Sequence, residues 1–135
     1  LSKRLNEMIA TTDQDCIIDG HYAVDTVTPE DVDFVFVLRR NPDELKKVME
    51  TRGYSRKKLQ ENLEAEILDI CLWEAVSSCG RDKVCEIDAT GKAVEDLVRE
   101  VVQTLQGKIA CKVGVVDWLG QLEAEKRLSE FLSIS

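Results

Sequence analysis

Chemistry is best placed in this chain at Thr51-Arg52-Gly53-Tyr54-Ser55-Arg56-Lys57-Lys58, where an arginine stands beside a glycine and three more cations follow. The stretch lies between two helical patterns, one ending at Met49 and one starting at Ser55. A cationic loop closing over something anionic is one reading. A solvated turn between two helices is the other, and spacing alone leaves both open. A second candidate is Asp19-Gly20-His21, which follows the apolar run Cys16-Ile17-Ile18. Such a run suits a strand buried on both faces, and open α/β sheets bind ligands at the carboxyl ends of their strands. A zinc site is not expected, because the single histidine, His21, is not spaced with any cysteine pair.

The elements that position these residues alternate. Leu1 to Ala10 carries an apolar stripe at helical spacing (Leu1, Leu5, Met8, Ile9) with no cap ahead of it, which suggests a start downstream of a larger domain's own beginning. Tyr22 to Asp33 reads as a loop with a turn at Thr28-Pro29-Glu30. Phe34-Val35-Phe36-Val37-Leu38 is the strongest strand pattern, aromatic and β-branched. Asn41 is placed to cap the next helix, with Pro42 in its first turn. Ser55 is placed to cap a long helix with the stripe Leu59, Leu63, Ile67, Ile70, Cys71 and Ala75, stopping at Gly80. A third strand is expected around Val84, Cys85 and Ile87. It is followed by the loop Ala89-Thr90-Gly91-Lys92 and a helix with Val94, Leu97, Val98, Val101 and Leu105 on one face. Lys112 to Val116 is a possible edge strand, and Asp117 is placed to cap a last helix in which Glu123 and Arg127 are spaced for an ion pair. Trp73 and Trp118 are expected in packing. Alternating strands and helices indicate an α/β fold with parallel strands.

At 135 residues one domain is expected, spanning 1–135. The net charge of -8 disfavours autonomous binding to nucleic acid and suits a basic protein partner. The cysteines (Cys16, Cys71, Cys79, Cys85, Cys111) are odd in number and irregularly spaced. That favours unpaired thiols in a reducing compartment. No signal-peptide pattern and no membrane-spanning apolar run is present, so a cytoplasmic location is expected.

Taken in order, Asp19-Gly20-His21, Phe34 to Arg39, Thr51-Arg52-Gly53-Tyr54-Ser55 with Lys58-Leu59 and Glu61-Asn62, Glu64-Ala65-Glu66, and Thr90-Gly91-Lys92 resemble the adenylate kinase 6 type of nucleotide kinases, the CINAP group of eukaryotes. The tail Lys112-Val113-Gly114-Val115-Val116-Asp117-Trp118 is similar to that of archaeal members. The resemblance implies a three-layer, P-loop nucleoside-monophosphate-kinase-like parallel sheet flanked by helices. It further implies phosphoryl transfer from ATP to AMP, ATPase activity, and a role in small-ribosomal-subunit assembly with a ribosomal protein of the S11 group. Residues 51–61 match the family's lid, and 108–135 its tail. Arg52 matches the lid arginine that contacts ATP phosphates, where a guanidinium fork spreads developing charge, and Arg56 is a looser match. Asp19 matches the acidic residue that steers Mg²⁺ through water. His21 matches a histidine linked to ATPase or partner function, and Lys92 a residue near the adenine. The alternatives beside these are a turn aspartate, a hydrogen-bonded loop histidine and a solvated lysine. Arg39 and Arg40 read as structural partners of nearby acids.

One departure is large. The family opens with a strand and a G-x-x-x-x-G-K-[ST] loop, and none of the seven glycines here lies in such a motif. In the family that strand lies between the Cys16 and Phe34 strands. Lys112 to Val116 is one candidate to fill part of the gap. The chain by itself is expected to be inactive. A non-catalytic module docking a basic ribosomal protein is the alternative reading.

Overall fold

The computed structural model describes residues 2–11, 14–20 and 23–132. Among these, two strands, β1 (Val35–Arg39) and β2 (Val84–Asp88), pair in parallel, with Val35 opposite Val84 and Arg39 opposite Asp88. The helices are α1 (Ser2–Thr11), α2 (Ala23–Thr26), α3 (Pro42–Thr51), α4 (Arg56–Ile67), α5 (Ile70–Cys79), α6 (Val94–Leu105), α7 (Trp118–Ala124) and α8 (Leu128–Phe131). The architecture is α/β, a small parallel sheet flanked by helices, compatible with a P-loop kinase-like fold without its first strand.

Local chemistry explains the boundaries. Asn41 accepts a hydrogen bond from the amide of Asp43 at 2.9 Å with Pro42 in the first turn, and Ser55 accepts from the amide of Lys58 at 3.2 Å. Both are ordinary N-caps. The single long helix expected after Ser55 is instead two. Asp69 adopts a left-handed conformation (φ 58°), which ends α4 and redirects the chain into α5. Aspartate tolerates this region better than most residues. The break also aims the last turn of α4 at a buried cation: Arg39 Nη2 donates to the Glu66 carbonyl at 2.7 Å and to Asp69 Oδ1 at 2.5 Å.

That cation is the hub of the molecule. Arg39 is 2% exposed. Its Nε donates to Glu66 Oε1 at 2.8 Å and its Nη1 to Glu86 Oε2 at 2.5 Å. Burial alone would push the guanidinium toward neutrality, but the Glu66 charge and hydrogen bonds to Asp69, Glu66 and Glu86 raise its pKa further, so it stays cationic. Glu66 Oε1 also accepts from the Trp118 indole at 2.8 Å, so the α4–α5 joint, both strands and α7 converge on one group. The structural role read for Arg39 is what the coordinates show.

Two apolar clusters flank this hub. Met49, Leu63, Ile67, Trp118, Leu122 and Phe131 join α3, α4, α7 and α8. Val37, Ala75 and Val84 join α5 to one face of the sheet. α6 is less covered, since Val94 is 70% and Val98 55% exposed on its apolar stripe.

Several expectations are corrected. Cys16-Ile17-Ile18 forms no strand; residues 14–20 are exposed coil, and Ile17 is 96% exposed. A strand needs a pairing neighbour, and no described residue pairs its backbone with this run. Lys112 to Val116 contributes no strand, bending at Val113 with a left-handed Gly114, and it lies against β2 on the edge away from β1, so it does not fill the gap beside β1. Trp73 is 69% exposed rather than packed, because α5 turns Leu72, Ala75 and Val76 to the Val37–Val84 cluster and Trp73 lies off that face. Arg127 does not pair with Glu123: α7 ends at Ala124, and Arg127 reaches Asp43 at 2.7 Å, Glu125 and Glu130. Cys85 and Cys111 form a disulfide rather than standing as free thiols.

Replacing Arg39 by Leu should cost about 3–5 kcal/mol in urea unfolding, because the acids around it lose their counter-charge. Asp43 responds to acid. Its hydrogen bond from Arg127 holds its carboxyl below the usual aspartate value. A carboxyl depressed in the folded state contributes stability above its unfolded pKa, lost as pH falls through the lower folded value. Asp43→Asn should therefore lower stability at neutral pH and flatten its decline below about pH 4, as followed by thermal melts across pH.

Candidate functional site

The turn after α3 is built as a helix stop of defined geometry. The amide of Tyr54 donates to the Met49 carbonyl at 3.1 Å and the amide of Gly53 to the Glu50 carbonyl at 3.0 Å. This is the paired Schellman pattern, and it requires the left-handed Gly53 (φ 72°). Tyr54 then packs against the Met49 cluster, and Lys58 Nζ sits 4.3 Å from its ring centroid. The glycine beside the arginine is thus a backbone requirement. The arginine is not: Arg52 is exposed and has no ion pair or side-chain hydrogen bond among the described residues. It lines a shallow depression with Lys47, Val48 and Thr51. The structure shows the solvated turn between two helices, with the Arg52 guanidinium exposed on it. Arg56 and Lys57 are also exposed, and Lys57 lies 4.0 Å from Glu61.

Asp19 lies in the exposed coil at 14–20. His21 falls outside the described residues. Lys92 follows β2 in the loop closed by its own amide bond to the Ala89 carbonyl at 3.1 Å, and its Nζ pairs with Glu100 of α6 at 3.0 Å. Lys92 lines a cavity of about 200 Å³ beside β2, walled also by Ile87, Thr104 and Cys111. That cavity and the depression at Arg52 share no residue, and Asp19 lines neither. Arg52, Lys92 and Asp19 are thus not gathered into one cleft.

No three acids, cysteines or histidines converge to hold a metal among the described residues. Mg²⁺ on a nucleotide needs only one or two carboxylates, the rest being phosphate oxygens and water. Asp19 could supply one. The phosphates themselves need a cradle of backbone N–H groups, and the sequence carries no G-x-x-x-x-G-K-[ST]. The described residues do not make a complete Mg²⁺–ATP site. Sequence reading missed the Cys85–Cys111 pair. The two are distant in sequence, and nothing short of the β2–tail juxtaposition signals it.

Gly53→Ala should cost about 1 kcal/mol or more through its left-handed strain, whereas Arg52→Ala should stay within about 0.5 kcal/mol of the parent. Thermal unfolding of the two variants separates the structural residue from the available one.

No family model matches the chain. Individual relatives do. It is 42% identical over 118 residues to "Putative adenylate kinase" of Methanocaldococcus jannaschii, covering 87% of this chain and 60% of that protein. It is 40% identical over 102 residues to the protein of the same name from Thermococcus onnurineus, covering 76% of this chain and 53% of that protein. With the protein of that name from Archaeoglobus fulgidus, identity is 35% over 132 residues, covering 95% of this chain and 70% of the relative. The chain spans 60% and 53% of the length of the first two. The likeness runs through nearly all of this chain, across the helix joint, both strands and the tail, and the chain belongs to the archaeal adenylate kinase family that these proteins represent.

Proposed function

We propose that this chain is the lid-and-tail portion of an adenylate kinase-type phosphotransferase, acting on ATP and AMP with Mg²⁺. The observation that supports this best is its 35–42% identity with relatives of that name over 87–95% of its length. In this reading Arg52 meets the polyphosphate, Asp19 orients Mg²⁺ through water, Lys92 borders the adenine after releasing Glu100, and His21 serves ATP hydrolysis or partner contact. The exposed, unpaired state of Arg52 supports its part, since a cation already neutralised would have to lose a partner first.

The reading requires a phosphate cradle beside β1. The edge of β1 away from β2 carries no strand among the described residues. A strand added at that edge would carry a cradle at its carboxyl end, the end where parallel sheets bind ligands. The finer reading adds ATPase activity and small-subunit assembly through a basic ribosomal protein of the S11 group, in the cytoplasm. The net charge of -8 suits that partner. It equally supports a second reading, a non-catalytic docking module. Within the described residues, no helix is long and apolar enough to cross a membrane.

Purified chain given ATP, AMP and Mg²⁺ should form no ADP above background. A fusion placing ahead of Leu1 the part of the Methanocaldococcus jannaschii relative outside its match should form ADP. In that fusion Arg52→Ala should lower kcat by about 10³-fold or more. A folded fusion that binds the basic ribosomal protein but turns over no ADP would favour the docking module instead.

A further inference from the structure

Residues 108–116 leave α6 and wrap over the outer edge of β2. Cys111 lies on the sheet face of Cys85 and Ile87, bonded to Cys85 with a Cα–Cα distance of 4.7 Å. At the edge itself the Glu86 amide donates to the Lys112 carbonyl at 2.8 Å. On the opposite face the amides of Gly114 and Val115 each donate to Glu86 Oε1 at 2.7 Å. The strap therefore has two anchors of different chemistry. The inner one is a buried carboxylate whose other oxygen is held by Arg39. The outer one is a covalent sulfur bond, and between it and α6 lies the cavity walled by Ile87, Thr104, Ile109 and Cys111.

We propose that the Cys85–Cys111 disulfide is a redox latch: reduction frees the outer half of the strap, residues 108–112, and opens the cavity beside β2, while the Glu86 anchor holds. The two sulfurs are unequal. Cys85 is 2% exposed, whereas Cys111 is exposed, so a small thiol from solvent attacks at Cys111. Its thiolate forms a mixed disulfide with the Cys111 sulfur, and Cys85 leaves as a thiolate that takes up a proton. A second small thiol attacks the mixed disulfide and releases Cys111 as a thiol. The balance is one protein disulfide and two small thiols giving two protein thiols and one small-molecule disulfide. Oxidised small-molecule disulfide runs the exchange backward. Cys71 and Cys79 carry no disulfide, and burial, then the Glu74 and Glu66 charges, push the Cys71 thiol's pKa up. The latch uses neither Arg52 nor Asp19 and stands whether or not the chain acts on nucleotides.

The test is hydrogen–deuterium exchange on the whole chain, equilibrated with oxidised glutathione or with dithiothreitol, alongside alkylation mapping of each cysteine. In the oxidised sample Cys85 and Cys111 should resist alkylation while carrying no glutathione, whereas Cys16 should take up either glutathione or the alkylating agent. Reduction should raise exchange at residues 108–112 and at the Glu86 amide by about tenfold or more, with β1 and the Gly114 and Val115 amides unchanged. Cys111→Ser should show the reduced pattern under both conditions, and Cys16→Ser should behave as the parent. Alkylation of Cys85 and Cys111 in the oxidised sample would overturn the proposal. So would unchanged exchange at 108–112 on reduction, or a rise spread through the whole domain.

Discussion

A buried guanidinium facing three acids sets the geometry of this molecule. Arg39 ends β1, and its nitrogens reach Glu66 and Asp69 at the α4–α5 joint and Glu86 in β2. Taking such a charge out of water is expensive, and the cost is offset only when its donors find well-placed acceptors. Here they find carboxylates and also the Glu66 carbonyl, at a helix end where the Asp69 amide reaches it at 3.3 Å across the turn. A helix C-terminus carries partial negative charge, so the end of α4 is a suitable place to receive a cation. The left-handed turn at Asp69 is what lets both the carbonyl and the Asp69 side chain point at it.

The consequence travels outward along α4. One end of that helix is fixed on Arg39, and its length is packed on the Met49–Leu63–Ile67 cluster. Its other end begins at Ser55, so the turn carrying Arg52 is carried on a rod anchored to the sheet. The tail is drawn in by the same acids, through the Trp118 indole on Glu66 and the Gly114 and Val115 amides on Glu86. Glu86 is thus shared between a cation and two amides, which accounts for a carboxylate with 0% side-chain exposure lying within a sheet.

How much of this was legible in the sequence follows from how local each cause is. Asn41, Ser55 and Asp117 act on amides two or three residues away, so their caps could be read directly. The strand at 84–88 and the helix ending before Gly107 likewise follow from pattern. The break at Asp69 was not legible, because its partner Arg39 lies 30 residues back. Neither was the Arg127–Asp43 pair, which spans 84 residues. The Cys16 run has the composition of a strand, but a strand is a property of two segments, and composition describes only one. Of the candidate site, the type and exposure of Arg52 were legible, while the company it keeps was not.

The two arginines that matter illustrate a division between holding and acting. Arg39 has committed its three nitrogens to named acceptors, so a ligand phosphate could engage it only by displacing one of them. Arg52 stands on a comparably defined backbone, fixed by the Gly53 and Tyr54 amides, yet its side chain is committed to nothing described. A group that must close on a transient anion needs that combination of fixed base and free head, because any resident partner would weaken the new contact by the cost of its own loss. The fold therefore commits its buried charge to assembling the joint and leaves Arg52 exposed on it.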